Sequence, residues 1–307
     1  MSEALSANKR VAQSTKRRRL VLWPWLFVLP VIITFLVFQY YPLVRTIILS
    51  MESTNLFGQP SGFVGLENYQ RVITSGDIVK ELVITAIYTF CSVLGKIVVG
   101  IAIAVPLAAR LRGTVWLRSI ILIPMAMSVA ATAVAFRSLL QPASGPVDRF
   151  FNFINIDPPA WLTDSTWALF TVTIVEIWFS IGYVTLLLLA ALDNVPQDVL
   201  EASSMDGAST WRKVWSIQIP LISPTIFFLF ITLTIFALRQ FAIISVLTGG
   251  GPDGATRTLV IGIYEAAFGT GTADYGAASA RGVLLMLIVL VITAIQFRLT
   301  ERRVHYS

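Results

Sequence analysis

Few side chains in this 307-residue sequence could perform covalent chemistry. Cys91 is the sole cysteine, which excludes an intrachain disulfide and a cysteine-based zinc site. His305 is the sole histidine and stands third from the end, so no histidine-centred triad or two-His zinc motif can form in the interior. No G-x-x-x-x-G-K-[ST] loop is present to cradle ATP phosphates. The side chains that invite a functional reading are instead charges inside apolar runs: Lys96, Glu176 and Arg239, with Arg281 near the start of another run. A charge at the centre of a membrane helix costs about 2.5–3.5 kcal/mol on insertion scales, so each should face protein or water. One reading places Lys96, Arg239 and Gln240 along a solute path, where they can meet an anionic or hydroxylated solute. Tyr88 and Trp178 would then stack on a sugar-like ring or close the path. The other reading is structural, with a Lys96–Glu176 ion pair and Arg281 reaching the membrane interface along its stem. Both readings stay open for Lys96 and Glu176, while Arg239 is assigned to the path and Arg281 to structure.

The elements that must position these residues are written in the composition. The chain is 56% hydrophobic and 13% charged, with a mean hydropathy of +0.76. A soluble domain carries about a quarter charged residues, so a lipid-facing exterior is the simplest solution. The sequence predicts an all-α integral membrane protein with six spans, near 20–44, 82–109, 119–140, 167–192, 221–247 and 276–297. These make a transmembrane domain over 20–297, flanked by a basic tail (1–19) and a C-terminal tail (298–307), with a polar loop at 193–220. The first run, 20–44, is too long for a signal-peptide core of about 7–15 residues, and no A-x-A-like site closes it. Pro24, Pro30, Pro42, Pro106 and Pro124 interrupt or cap the first three spans.

Basic residues set the orientation. Lys9, Arg10, Lys16–Arg19, Arg110, Arg112, Arg118, Arg212, Lys213, Arg298, Arg302 and Arg303 all fall on one side. The longer opposite segments hold only Arg45, Arg71, Lys80, Arg149 and Arg257, with Arg137 near the boundary. Positive charge favours the cytoplasm, so both termini and the 193–220 loop are expected inside. The net charge of +6 is thereby a topology signal, and nucleic acid is not an expected partner.

The 193–220 loop carries the most information. Pro196 suits the first position of a helix, and Asp198 and Glu201 complement the dipole of its early turns. Gly207 can end that helix in a left-handed conformation. Ser209 looks like the N-cap of a second helix, Thr210 to about Gln218, stopped before Pro220. Trp211, Val214, Trp215 and Gln218 share one face of it. The product is a helix–turn–helix at the membrane surface, whose apolar face calls for a partner. The acidic residues Asp193, Asp198, Glu201 and Asp206 disfavour a DNA-binding role.

The order Glu201-Ala202-Ser203, three residues, Gly207, nine residues, then Ile217-Gln218-Ile219-Pro220 resembles the EAA loop of binding-protein-dependent ABC importer permeases. That pattern is E-A-A-x-x-x-G, nine residues, I-x-L-P, and Ser203 and Ile219 are departures that keep size and character. Phe57-Gly58 with Phe63–Tyr69, and Thr248–Pro252 with Ala255-Thr256 and Thr258–Phe268, are similar to carbohydrate-type permeases of the maltose-permease superfamily. The end of the chain, Gln296-Phe297-Arg298, Glu301 and Arg303–Tyr306, is similar to the glycerol-phosphate branch.

The resemblance implies the type I importer permease fold in a prokaryotic cell membrane. It also implies a coupling role for Glu201, Ala202, Ser203, Asp206, Gly207, Trp211, Ile217 and Pro220 against an ATPase subunit. The implied partners are a second homologous permease, two ATPase subunits that bind ATP and Mg, and an extracytoplasmic solute-binding protein. The chain itself would bind no cofactor or metal and catalyse no reaction. The implied solute is a sugar or, from the terminal resemblance, sn-glycerol 3-phosphate or a glycerophosphodiester. An ion-coupled secondary transporter would be marked by inverted repeats or paired broken helices, and neither is evident in the sequence. A membrane-embedded enzyme would need clustered nucleophiles, acids or metal ligands, which one Cys, one terminal His and a lone intrahelical Glu do not provide.

Overall fold

In hydrocarbon a backbone has no hydrogen-bond partner but itself, and helices satisfy every N–H and C=O internally. The computed structural model, which describes residues 22–55, 59–109, 114–269, 271 and 273–300, follows that rule. The basic tail through Arg19, Phe57-Gly58, Arg110, Arg112 and the stretch from Glu301 onward lie outside the described residues.

The chain divides into two units, Met1–Thr46 and Ile47–Ser307. The first holds α1 (Leu22–Phe35), a π-helical turn (Leu36–Tyr40) and the start of α2 (Tyr41–Leu49). In the wide turn the Tyr41 N–H reaches back five residues to the Leu36 carbonyl. The Phe38 carbonyl, which the Pro42 ring would strike in a regular α-turn, lies inside that widening.

The second unit begins with a small antiparallel hairpin, β1 (Glu52–Thr54) and β2 (Pro60–Phe63), with Glu52 opposite Phe63. Helices α3 (Glu67–Thr74), α4 (Asp77–Ala108), α5 (Thr114–Ala126), α6 (Val129–Leu139), α7 (Pro146–Phe153) and α8 (Ser165–Asp193) follow. Next come α9 (Gln197–Met205), α10 (Thr210–Lys213), a second π turn (Val214–Gln218) and α11 (Ile219–Leu221). The chain continues through α12 (Ser223–Leu238), α13 (Ala242–Leu247), α14 (Leu259–Phe268) and α15 (Tyr275–Thr300). Among the described residues four helical stretches are long and apolar enough to cross a membrane: Phe27–Leu49, Asp77–Ala108, Ser165–Asp193 and Tyr275–Arg298. The number rises to six if each of two bent pairs counts as one span.

Three features depart from the expected helices. The run 119–140 is not one rod but α5 and α6, bent by 100°. Pro124 has no N–H to continue the ladder, the Met127 N–H turns to the Pro124 carbonyl at 3.2 Å, and Ser128 is extended. The run 221–247 breaks at 239–241 between α12 and α13, so Arg239 ends a helix instead of lying within one. The helix after Ser209 is not stopped before Pro220 but passes through it to Leu221. There the Ile219 N–H reaches the Val214 carbonyl, and the widened turn contains Ser216, whose carbonyl the Pro220 ring would otherwise meet. Both proline-associated widenings thus have one cause.

The main core lies where α4 crosses α8, through Val93, Val175, Val184 and Leu188, and α6, α12 and α13 complete it through Ala133, Leu229, Leu233 and Ile243. Gly100 permits the approach of α4 and α8, since a Cβ there would sit 2.6 Å from Val184 Cγ1. Asp164 caps α8 by accepting from the Thr166 and Trp167 N–H groups. A second cluster, Val72, Ile78, Leu259, Ala277 and Ala280, joins α3, α14 and α15 to the start of α4.

Candidate functional site

The hairpin at 197–221 is built by local signals that agree with one another. Helix α9 starts at Gln197, one residue after the expected Pro196, with Asp198 in its first turn. Gly207 ends it at φ +72°, a left-handed conformation that glycine adopts without penalty. The Ala208 N–H bonds the Ser203 carbonyl at 3.0 Å and the Gly207 N–H bonds that of Ser204 at 3.1 Å. This is the six-to-one and five-to-two pairing of a Schellman termination. Ser209 then caps α10, its hydroxyl accepting from the Arg212 N–H at 3.3 Å. Lys213 Nζ donates to Ser204 Oγ at 2.5 Å, tying the two arms together.

The base of the hairpin is held in the core by Val195, Leu200, Ile219 and Ile222. A cavity of about 310 Å³ separates its arms from the end of α4, between Val105, Ala108, Leu200, Glu201, Val214 and Gln218. The far end is free. Glu201, Ala202, Asp206 and Gly207 are exposed, and Met205, which sequence reasoning passed over, is 89% exposed. Ser203 is buried, and its hydroxyl bonds the Leu200 carbonyl at 2.7 Å, so it shapes the helix without facing outward. Trp211 is exposed on the flank toward α4, while Ile217 and Pro220 lie in the widened turn and the short helix leading to α12. The structure therefore gathers four of the eight expected coupling residues at the exposed end and distributes the others along its support. Such a rigid lever, free at one end and built into a close-packed core at the other, can transmit a displacement.

The intrahelical charges meet in the core. Lys96 Nζ of α4 lies 2.6 Å from Glu176 Oε1 of α8, with the two side chains 0% and 4% exposed. Gln240, in the break between α12 and α13, donates from Nε2 to Glu176 Oε2 at 2.5 Å. Ser180 Oγ adds a contact of 3.3 Å to Oε1. One carboxylate thus joins three segments. Tyr88 is wholly buried in the same core, and Trp178 is half-buried with its ring edge-on to Phe136 at 5.0 Å. In this conformation the Tyr88 ring is closed off from any solute. Arg239 is exposed beside Gln240.

A second ionic centre was not foreseen. Glu81 of α4 is buried and lies 3.4 Å from both Arg257 and Arg281, and Arg257 continues to Glu265 at 2.7 Å. Arg281 therefore does not snorkel to an interface as expected; it pairs inside the protein. Its partner stands 200 positions away in sequence, so no local signal could have revealed it.

The family model for the binding-protein-dependent transport system inner membrane component matches residues 96–306. Among similar proteins, the sn-glycerol-3-phosphate transport system permease protein UgpA of Agrobacterium fabrum (strain C58 / ATCC 33970) is 34% identical over 92% of this chain and 96% of its own length. The trehalose/maltose transport system permease protein MalF of Thermococcus litoralis is 34% identical over 91% of this chain and 94% of its own. A chain of a bacterial ABC transporter involved in the import of the acidic polysaccharide alginate superposes with a TM-score of 0.81 at 24% identity, covering 92% of this chain and 97% of that one. The two bent helix pairs are a feature that the sequence did not reveal and that an ion-coupled transporter would also carry, so the match over residues 96–306 and the identity across the chain decide the family. The chain belongs to the inner membrane components of binding-protein-dependent transport systems, the permease subunits of ABC transporters.

Proposed function

We propose that this permease pairs with a second, homologous subunit, and that two separate ATPase subunits, which bind ATP and Mg, grip the hairpin at 197–221 from the cytoplasm. The observation that carries this reading is the contrast within the hairpin: Glu201, Ala202, Met205, Asp206 and Gly207 are exposed, while Val195, Leu200, Ile219 and Ile222 are set in the core. ATP-driven closure of the ATPases would rock α8 and α12, which flank the hairpin, as rigid bodies. The chain performs no covalent step; it supplies the path and the lever. The distribution of basic residues supports six crossings with both termini inside the cell.

The solute is sn-glycerol 3-phosphate or a related phosphodiester, delivered by an extracytoplasmic binding protein. The likeness to UgpA proteins over 92% of the chain supports this, and the exposed Arg239 beside the Glu176 centre suits an anion. A neutral disaccharide is the second reading, supported by the equal identity to the trehalose/maltose relative. Passage requires the contact from Glu176 to Gln240 to open, since it holds the α12–α13 junction against α8.

Co-purification of the ATPase subunits and uptake into proteoliposomes test the coupling role. Glu201→Lys and Gly207→Pro should each abolish both while the permease stays in the membrane. Unchanged assembly and transport in both variants would refute it. Arg239→Gln should reduce uptake of glycerol 3-phosphate more than that of maltose, and an equal effect on both would remove Arg239 from solute recognition.

A further inference from the structure

A polar cavity of about 460 Å³, a size usual for small-molecule sites, opens at the end of α8 farthest from the hairpin. Its polar wall comes from Arg137 and Ser138 at the end of α6, Gln141 just beyond, Thr163 ahead of α8 and Thr248 after α13. Helix α8 has 29 residues, about 43 Å at 1.5 Å per residue, so it separates cavity and hairpin by more than the hydrocarbon thickness of about 30 Å. With the hairpin in the cytoplasm, the cavity faces the outside.

Its charge is unbalanced. Other cations toward this end are matched inside the protein: Arg71 meets Asp274 at 3.0 Å, Arg257 meets Glu265 at 2.7 Å and Arg281 meets Glu81 at 3.4 Å. Among the described residues Arg137 pairs with no carboxylate, and none lines the cavity. Carboxylates close by in sequence hold backbone N–H groups instead, Asp148 that of Ala143 at 2.8 Å and Asp164 that of Thr166 at 2.9 Å. Arg137 Nη1 donates to the Val246 carbonyl at 3.2 Å, which positions the guanidinium and leaves its remaining N–H donors unspent. The Ser138 and Thr248 hydroxyls are occupied by the Val134 and Ile244 carbonyls. The Gln141 amide and the Thr163 hydroxyl carry no side-chain hydrogen bond among the described residues. A held guanidinium beside two unspent neutral groups suits a small anion that also bears hydroxyls, since the planar fork matches phosphate oxygens. Val246 lies near the outer end of α13, and Arg239 stands just before its inner end, about 10 Å away at 1.5 Å per residue.

We propose that this cavity is an outer subsite for a phosphate monoester, in which Arg137 binds the phosphate and Gln141 and Thr163 bind the hydroxyls. The anion is taken up here from outside and passes inward along α13 to Arg239. The inference rests on the anionic-solute reading above and adds to it the residues that meet the solute first.

The test uses the full-length chain, purified with its co-purifying subunits in bilayer discs, with Cys91→Ser and Ser138→Cys as background. A neutral methanethiosulfonate reagent labels the new thiol at a rate that does not sense the charge of Arg137. Glycerol 3-phosphate should slow labelling at least about fivefold at saturation, inorganic phosphate should do so at higher concentration, and glycerol and maltose should not. Arg137→Gln should remove the protection without altering the rate in the absence of ligand, and Arg137→Lys should keep part of it. Gln141→Leu should weaken protection by glycerol 3-phosphate about fivefold and leave that by inorganic phosphate unchanged. This last variant decides the matter if Arg137→Gln disturbs the cavity: no loss, or an equal loss for both ligands, overturns the proposal. It is likewise overturned if neither phosphate protects, if glycerol or maltose protects equally, or if protection survives Arg137→Gln. Uptake into proteoliposomes judges the solute separately. Glycerol 3-phosphate carried without protection refutes the subsite alone, and maltose carried in its place refutes both.

Discussion

The Glu176 centre and the hairpin at 197–221 treat polar groups in opposite ways. Around Glu176 both carboxylate oxygens are engaged, by Lys96 and Ser180 on one and Gln240 on the other, and the ion pair is sealed from solvent. At the hairpin a single-atom contact from Lys213 to Ser204 ties the arms, while Glu201 and Asp206 remain exposed. Burial explains the difference. In a low-dielectric interior an unpaired charge is strongly destabilising, so a charged group must find its partner within the protein. At the surface water supports a lone carboxylate, which stays available to another molecule. Substitutions in the first region should therefore be read in stability, and those in the second in assembly.

Glu176→Leu gives the largest expected effect. It strands Lys96 in the core and should destabilise the permease by about 3–5 kcal/mol, seen as a lower melting temperature in detergent. Lys96→Met combined with Glu176→Leu should recover most of that loss. If single and double variants melt together, the pair is not what holds the core. Gln240→Leu should cost about 1–3 kcal/mol by leaving Glu176 Oε2 unsatisfied, and should raise hydrogen exchange at 239–241. A variant with unchanged exchange there would detach the break from Glu176. Gly207→Ala forces an alanine to φ +72° and should cost about 1 kcal/mol, lowering ATPase affinity about fivefold, whereas Gly207→Asn should be tolerated. Smallest is the effect of Glu201→Lys on the isolated permease, within about 0.5 kcal/mol, although it abolishes assembly. A large loss of stability there would erase the contrast between the two regions.

Legibility in the sequence followed the range of the physics involved. The left-handed Gly207, the Ser209 cap and the helices on either side depend on residues within a turn of one another, and all were readable. The break at Pro124 involves a residue the sequence marks, though a marked proline alone does not distinguish a kink from a turn of 100°. At Pro220 the same signal misled, because a widened turn let the helix continue. The break at 239–241 has neither proline nor glycine, and the Gln240 side chain there is bonded to Glu176, 64 positions away. Ser203 and Trp211 belong to the expected coupling pattern, yet which of them faced outward depended on how the hairpin lies on α4.

By itself the sequence determined that this is a membrane protein of long helices with a rigid, polar-tipped hairpin between two of them. Hydropathy runs, helix caps and a glycine turn act over a few residues and need no tertiary partner. Only the tertiary structure decided that Lys96 meets Glu176 across 80 positions and that Arg281 meets Glu81 across 200. A charge surrounded by apolar side chains must be neutralised by whichever opposite charge the neighbouring helix presents. That neighbour is chosen by helix contacts such as those Gly100 permits, which no local stretch of residues contains.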